Sequence, residues 1–197
     1  MSLLSLIALL FGTAGVWLTI RQTIWCWPVS LVAVVASVAE FYHERLYGDM
    51  ALQVFYFFAG VYGWIFWHQQ RAADFKVRHM SSRVWPLLVA GTAFQAFIYY
   101  RIILYFNGDR PLLDAALTAA SLTATFMMTR KWVQNWITWV VIDTTYIYLY
   151  AVKEMWLFAV LYLIFAALAF YGWRSWKLSS REGSSLFLVF CSLFWML

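Results

Sequence analysis

Apolar runs of about 20 residues constrain this chain more than any other feature of its sequence. Roughly 20 consecutive apolar residues cross the hydrocarbon core of a bilayer as a helix, so each such run is a candidate span. Seven runs qualify, at about 3–20, 24–42, 50–67, 84–106, 112–129, 133–151 and 155–173. Hydrophobic residues make up 64% of the 197 residues and charged residues 12%, which leaves too little polar surface for a soluble globule. The sequence therefore predicts an all-α integral membrane protein with seven transmembrane helices.

A hexapeptide frame, Tyr-Gly-Trp-x-x-Trp, occurs twice, as YGWIFW at 62–67 and as YGWRSW at 171–176. A shift of 109 residues aligns the two frames and, without a gap, also matches Trp27 with Trp136, Leu52 with Leu161, Val32 with Val141 and Arg21 with Arg130. The alternative is a coincidence between two aromatic belts at the membrane surface. Because the tryptophans, the glycine and the arginine all keep register with the helix ends, the pattern favours duplication of a three-helix unit.

The duplication predicts how the chain is divided. The parts are a first three-helix repeat at 3–67, a basic cytoplasmic loop at 68–83, a linker helix at 84–106, a second three-helix repeat at 112–176 and a tail at 177–197. With one helix between them, both repeats enter the membrane in the same direction, and transporters of this parallel class hold substrate near the midplane between the two halves. The apolar segment 184–197 is shorter than a span and is compatible with an interfacial, a re-entrant or an incomplete helix.

Basic residues are distributed unevenly between the two sides of the predicted membrane protein. If the loops alternate sides, one side collects ten of the 14 Lys and Arg residues, namely Arg21, Arg71, Lys76, Arg78, Arg83, Arg130, Lys131, Arg174, Lys177 and Arg181. Positively charged loops stay in the cytoplasm, so the N-terminus is predicted outside and the C-terminus inside. This topology also accounts for the net charge of +5, and no nucleic-acid partner is predicted.

The sixth apolar run contains an amide, a carboxylate and large aromatic rings at helical spacing. Trp132, Trp136, Trp139 and Asp143 follow at steps of four, three and four residues, and Asn135 lies beside them. Polar groups inside a membrane are costly and usually functional. One interpretation is a cage in which the rings stack on a flat or cationic heteroaromatic ligand while Asn135 bonds its polar edge. The other is an aromatic belt with a structural Asp, but Asp143 lies too deep for a belt, so the cage is favoured.

Two other runs add polar candidates: Gln53 and Tyr56 on the third, and Gln95 and Tyr99 on the fourth. A buried amide in a membrane protein often bonds a neighbouring helix, so each glutamine is either a ligand contact or a helix-helix contact. The His and carboxylates at 40–49 predict a solvated turn rather than a metal site. Neither a nucleotide-binding loop nor a hydrolase motif is present in the sequence, and no enzyme activity, metal or cofactor is predicted.

The stretch LYGDMALQVFYFFAGVYGWIFW, followed later by NWITWVVID, resembles the Pnu vitamin transporters, a family that includes nicotinamide riboside transporters. The resemblance covers roughly residues 3–177. It implies a SWEET-like fold of three, one and three helices, a homotrimer in the bacterial cytoplasmic membrane, and facilitated diffusion of a vitamin precursor that a cytosolic kinase then traps. The family pattern N-W-x-x-W falls on Asn135, Trp136 and Trp139, which are expected to line the ligand site together with residues of facing helices.

Three ligand classes occur in this family, and all are flat heteroaromatic vitamins. Nicotinamide riboside is favoured here, and the QNWITW context leaves thiamine open as the alternative, with riboflavin also known on this scaffold. Outside the family, two other functions are compatible with the residues. One is a membrane enzyme or assembly factor that uses Asp143, and the other is a SWEET-type sugar carrier, which needs more groups that bond hydroxyls.

Overall fold

The computed structural model describes residues 2–45, 47–70, 75–106, 110–152, 154 and 156–194. These residues form the helices α1 (Leu3–Ile20), α2 (Cys26–His43), α3 (Tyr47–Gln69), α4 (Trp85–Tyr105), α5 (Pro111–Thr129), α6 (Gln134–Val152) and α7 (Trp156–Phe194). The six helices α1 to α6 begin and end within three residues of the predicted spans. Part of the predicted basic loop, residues 71–74, and the end of the tail, 195–197, lie outside the described residues.

Five of these helices are long and apolar enough to cross a membrane on length and composition alone: α1, α2, α4, α5 and the Phe158–Ser180 part of α7. The helices α3 and α6 have 23 and 19 residues, which is also a sufficient length to cross a membrane. In α6 the polar residues include Gln134, Asn135 and Asp143. Polar residues in membrane helices are costly, so α6 is where a functional site is expected.

The last helix is longer than predicted. The helix α7 has 39 residues, and at 1.5 Å per residue its length is roughly 58 Å, about twice the thickness of a hydrocarbon core. The backbone therefore continues as helix through the apolar tail as far as Phe194. The tail is thus continuous with α7, and which of its three predicted placements in the membrane it takes stays a prediction.

The chain divides into two compact units, residues 1–75 and 76–197. In the first, α2 packs against α1 and α3; in the second, α5 packs against α4 and α6, and α6 packs against α7. At the contact between α1 and α2, the Glu40 carboxylate accepts hydrogen bonds from Ser2 Oγ at 2.6 Å and from Ser5 Oγ at 2.7 Å. Glu40, which was expected in a solvated turn, instead connects the beginning of α1 to the end of α2.

The two units share local backbone structure at the 109-residue offset. Gln22 and Lys131, at matched positions in the turns after α1 and α5, have φ values of 57° and 53°. Arg45 and Glu154, also matched, both have a φ of 58°. In the turns after α1 and α5, a backbone amide donates at 3.1 Å to the carbonyl five residues earlier, from Thr23 to Leu18 and from Trp132 to Met127. Because non-glycine residues with positive φ are uncommon, these matches support the duplication.

Each unit also contains a tryptophan that packs on the glycine and the last tryptophan of the YGW-x-x-W frame. In the second unit the ring centroids of Trp136 and Trp176 lie 5.4 Å apart at 89°. In the first unit Trp27 and Trp67 lie 5.5 Å apart, also at 89°. A Cβ added to Gly172 would lie 2.7 Å from the Trp136 ring, and the glycine of the first frame meets Trp27 in the same way. The hexapeptide is therefore a packing site for a helix pair.

Replacing Gly172 by Ala is expected to lower the free energy of unfolding by about 1–3 kcal/mol, because the added methyl group forces the Trp136 ring to move. The matched control is Gly91→Ala on α4, where an added Cβ meets no neighbouring atom within 4 Å. Alanine also favours a helix over glycine, so the control should be neutral or stabilising. Thermal unfolding in detergent measures both variants. Equal melting temperatures for the two variants would contradict the packing role of Gly172.

Candidate functional site

The candidate site begins at the turn between α5 and α6. The helix α5 ends at Thr129 and α6 begins at Gln134, with Lys131 in a left-handed conformation between them. Trp132 therefore precedes α6, and the prediction that it shares one stripe of the sixth helix is wrong. Its ring packs edge-on against Phe126 of α5, with the centroids 6.0 Å apart. Because α6 begins only at Gln134, the helical stripe starts after the turn.

Asn135 is fully buried in the first turn of α6, with 0% of its surface exposed. Its backbone amide and its side-chain Nδ2 both donate to the carbonyl oxygen of Trp132, at 3.1 and 2.6 Å. These two bonds fix the orientation of the side-chain amide. Its Oδ1 atom is buried and accepts no hydrogen bond from the residues that the structure describes. A buried acceptor left unpaired costs about 1–3 kcal/mol, so this oxygen is a candidate ligand contact.

Trp136, the next residue, packs against α7 rather than with the other rings of the predicted cage. Only 3% of its surface is exposed, and it contacts Gly172 and Trp176. Its indole Nε1 has no hydrogen-bond partner among the described residues, and the same holds for Trp27 in the first unit. Because the matched tryptophans pack alike, packing accounts for Trp136. Its contact with a ligand stays a prediction.

Trp139 lies one turn beyond Asn135 and is half-buried. It packs on an apolar cluster shared by α5 and α6, as does Tyr146; the buried members are Leu117, Ala124, Ile142 and Leu149. The Tyr146 ring centroid lies 4.7 Å from that of Tyr162 on α7 and 6.0 Å from that of Tyr150. Aromatic surface therefore continues from Trp139 along α6 towards its C-terminal end, and flat rings of this kind suit a flat ligand.

Asp143 lies one turn beyond Trp139, and 5% of its surface is exposed. Among the residues that the structure describes, none forms a hydrogen bond or an ion pair with its carboxyl group. Buried acidic groups in membrane proteins are normally paired, and they mark substrate or ion pathways. A ligand contact of Asp143 stays a prediction.

The other four predicted site residues lie on α3 and α4. On α3, in the first unit, Gln53 and Tyr56 are both half-buried and less than one turn apart. On α4, in the second unit, Gln95 is exposed and Tyr99 is half-buried. The helix α4 packs against α5, and α5 in turn packs against α6. Asn135, Trp139 and Asp143 thus follow one another along one face of α6, whereas Trp136 packs against α7. Ligand contacts from α3 and α4 stay predictions.

Sequence reasoning missed one contact of this site. The segment between α3 and α4 pairs with the turn before α6: Arg78 N donates to Lys131 O at 3.0 Å, and Val133 N donates to Arg78 O at 3.1 Å. In addition, Met80 N donates to Gln134 Oε1 at 3.0 Å, across 54 residues of sequence. The letters FKVRHM carry no signal for such a pairing. Its partners lie more than 50 residues away, so the pairing depends on the tertiary fold and cannot be inferred from the local sequence.

Comparison with known proteins identifies the group to which the chain belongs. The family model described as nicotinamide mononucleotide transporter matches residues 2–178. The chain belongs to this family. The chain is 28% identical over 173 residues to the nicotinamide riboside transporter PnuC of Escherichia coli. This alignment covers 74% of this chain and 72% of the relative. The chain is 27% identical over 182 residues to the riboflavin/roseoflavin transporter RibM of Streptomyces davaonensis, covering 89% and 84% of the two chains.

A crystal structure of the vitamin B3 transporter PnuC has the same fold, with a TM-score of 0.74 over 91% of this chain and 82% of that chain, at 22% identity. The predicted Pnu family membership is confirmed, and so is the all-α fold class with its three, one and three helices. The family and the structural neighbour are transporters and not enzymes. The chain is a multi-pass membrane transporter.

Proposed function

We propose that this transporter carries nicotinamide riboside into the bacterial cytoplasm by facilitated diffusion, and that a cytosolic kinase traps the product by phosphorylation. The observation that carries this proposal is the buried, unpaired Oδ1 of Asn135 on the helix that also holds Asp143. The nicotinamide carboxamide has an NH₂ group that can donate a hydrogen bond to such an oxygen, and the pyridinium ring is a flat cation. The similarity to the Escherichia coli relative supports the same substrate.

The spacing along α6 fits a ligand of this shape. Asn135, Trp139 and Asp143 follow at steps of four residues, so they span about 12 Å along the helix axis. A pyridinium ring bonded to Asn135 through its carboxamide would stack on Trp139, where cation-π attraction contributes about 0.5–2 kcal/mol. The Asp143 carboxylate acts on that charge from a distance of about 10 Å, and at an effective dielectric constant of about 20 this contributes roughly 1.7 kcal/mol. Gln53, Tyr56, Gln95 and Tyr99 are proposed as further ligand contacts.

The proposal extends to topology and assembly. The ten basic residues on one side of the membrane support a cytoplasmic C-terminus and an external N-terminus in the bacterial inner membrane. The proposed domain boundaries are the repeats at 3–67 and 112–176, with 84–106 as linker. A homotrimer is proposed from the resemblance to the family. The helix α4 has no fully buried residue and exposes 75% of Leu87 and 65% of Phe94, which supports a surface covered by lipid or by another protomer.

Riboflavin is the second candidate substrate. The similarity to RibM extends over more of both chains than the similarity to the Escherichia coli protein. An isoalloxazine ring is flat and would also stack on Trp139, and its ring N–H would donate to Asn135 Oδ1. It is neutral, however, so it gains nothing from Asp143. Thiamine, which is cationic, completes the set of ligands to compare.

Calorimetric titration of the purified transporter should show saturable binding of nicotinamide riboside that is at least about tenfold tighter than that of thiamine or riboflavin. Nicotinamide mononucleotide should bind at least about tenfold more weakly than the riboside, because α6 contains no Lys or Arg to pair with its phosphate. Tightest binding of riboflavin would assign the second candidate. Mononucleotide binding as tight as that of the riboside would contradict trapping by phosphorylation.

Transport in liposomes tests facilitated diffusion separately. With purified protein, no ion gradient and no kinase inside, labelled riboside should equilibrate and then stop at equal concentrations on both sides. Adding a riboside kinase with its nucleotide to the lumen should convert equilibration into accumulation. Accumulation against the gradient without the kinase would contradict the proposed mechanism.

A further inference from the structure

The turn that orients Asn135 is itself bonded to the segment between α3 and α4. The Trp132 carbonyl accepts both hydrogen bonds from Asn135. Arg78 bonds to the residues on both sides of Trp132. The Arg78 amide donates to the Lys131 carbonyl at 3.0 Å, and the Arg78 carbonyl accepts from the Val133 amide at 3.1 Å. The Trp132 carbonyl and the Val133 amide belong to one peptide group, so Arg78 is bonded directly to the peptide group that orients Asn135.

Two further contacts hold the same segment. The Met80 amide donates to Gln134 Oε1 at 3.0 Å, and Gln134 directly precedes Asn135. On the other side, His79 Nε2 lies 3.4 Å from Ser180 Oγ of α7. The side chains of Val77 and Met80 are buried, with 6% and 5% exposed. Residues 77–80 therefore contact both α6 and α7 within the second unit, and they are more than a solvated connection.

We propose that residues 77–80 form a positioning strap, which holds the turn before α6 so that Asn135 Oδ1 faces the ligand. Arg78, Met80 and Gln134 act as positioning residues, and none of them has to touch the substrate. The inference rests on the proposed function, because it assigns to the strap the orientation of a proposed ligand contact.

Gln134 offers the sharpest test. Gln134→Leu removes the acceptor for the Met80 amide, whereas Gln134→Glu keeps an acceptor oxygen at the same reach and serves as the matched control. Loss of one hydrogen bond from the strap should weaken riboside binding by at least about threefold in the leucine variant and leave the glutamate variant near wild type. Maximal transport rate at saturating riboside should stay within about twofold of wild type, so the effect appears in the Michaelis constant.

A double-mutant cycle separates positioning from general destabilisation. In an Asn135→Cys background there is no Asn135 Oδ1 to orient, so Gln134→Leu should weaken binding no further. An equal loss in both backgrounds would overturn the strap, and so would a loss below threefold in the wild-type background.

Hydrogen exchange tests the strap without any ligand, so the result does not depend on which substrate the transporter carries. If the wild-type protein binds none of the vitamins, the proposed function fails, and the strap is then judged by amide exchange in residues 131–136. Gln134→Leu must accelerate exchange there relative to Gln134→Glu, because the turn loses a support. Equal exchange in the two variants would overturn the strap even if riboside binding is confirmed.

Discussion

Replacing Asn135 by Cys is expected to weaken nicotinamide riboside binding by about 10- to 100-fold, because a hydrogen bond to a charged ligand contributes roughly 1.5–3 kcal/mol. The free energy of unfolding should change by less than about 1 kcal/mol. The variant removes the buried Oδ1, which has no partner among the described residues, and it also removes the bond from Nδ2 to the Trp132 carbonyl. These two losses act in opposite directions on stability, whereas only the first affects the ligand.

Cysteine is the natural replacement because the first unit has it at the matched position. Cys26 begins α2 with 1% of its surface exposed, and its amide bonds to the Thr23 carbonyl at 3.1 Å. The Asn135 amide makes the same bond, also at 3.1 Å, to the Trp132 carbonyl. The turn therefore already accommodates a cysteine in one of its two copies, and the variant should fold.

Titration calorimetry and thermal unfolding, performed on the same preparations, measure the two effects. Ile137→Ala is the control on the same helix, since 48% of the Ile137 side chain is exposed and it belongs to no proposed contact. This control should bind the riboside within about twofold of wild type. A folded Asn135→Cys protein with wild-type affinity would mean that Oδ1 is not a ligand acceptor, and the proposed site on α6 would be abandoned.

The features that the sequence predicted well are those that depend on local composition. Helix positions follow from the length of apolar runs, and the duplication follows from the register of the two YGW-x-x-W frames. The structure adds a physical reason for that register, because Gly172 has to remain small beneath the Trp136 ring. The hexapeptides are scaffold, as their presence in both copies indicated.

The features that the sequence did not predict depend on which neighbour a side chain meets. A period of 3.6 residues placed Trp132 and Trp136 with Trp139 on one stripe, but α6 begins only at Gln134 and Trp136 packs against α7. The pairing of Arg78 with the turn was also missed, because its partners lie more than 50 residues away. Periodicity describes a helix in isolation and carries no information on tertiary partners.

A comparison of the two copies resolves part of this ambiguity. Trp136 matches Trp27, and both pack alike, so a residue that is the same in both copies is explained by the scaffold. At the positions of Asn135, Trp139 and Asp143 the first copy has cysteine, serine and valine. In the second copy, the buried Oδ1 of Asn135 and the buried carboxyl group of Asp143 have no hydrogen-bond partner among the described residues. We therefore expect ligand contacts where the two copies differ rather than where they match.

Replacing Asp143 by Asn is expected to weaken binding of nicotinamide riboside by about 15-fold, which corresponds to the roughly 1.7 kcal/mol that a carboxylate contributes to a cation about 10 Å away. The substitution keeps the size of a side chain that is only 5% exposed, so packing should be preserved. The sign follows from charge, because a carboxyl group that ionises beside the bound cation attracts the pyridinium ring, whereas an amide stays neutral.

The matched ligand control is the reduced riboside, which has almost the same shape but a neutral dihydropyridine ring. Wild-type protein should prefer the charged form, and Asp143→Asn should lower the affinity for that form alone, with riboflavin binding also unchanged. Titrations of both proteins with all three ligands give the complete comparison. Equal losses for the charged and the neutral ring would assign Asp143 to the fold, since a carboxyl group that supports packing affects every ligand alike, whereas one that recognises charge affects only the cation.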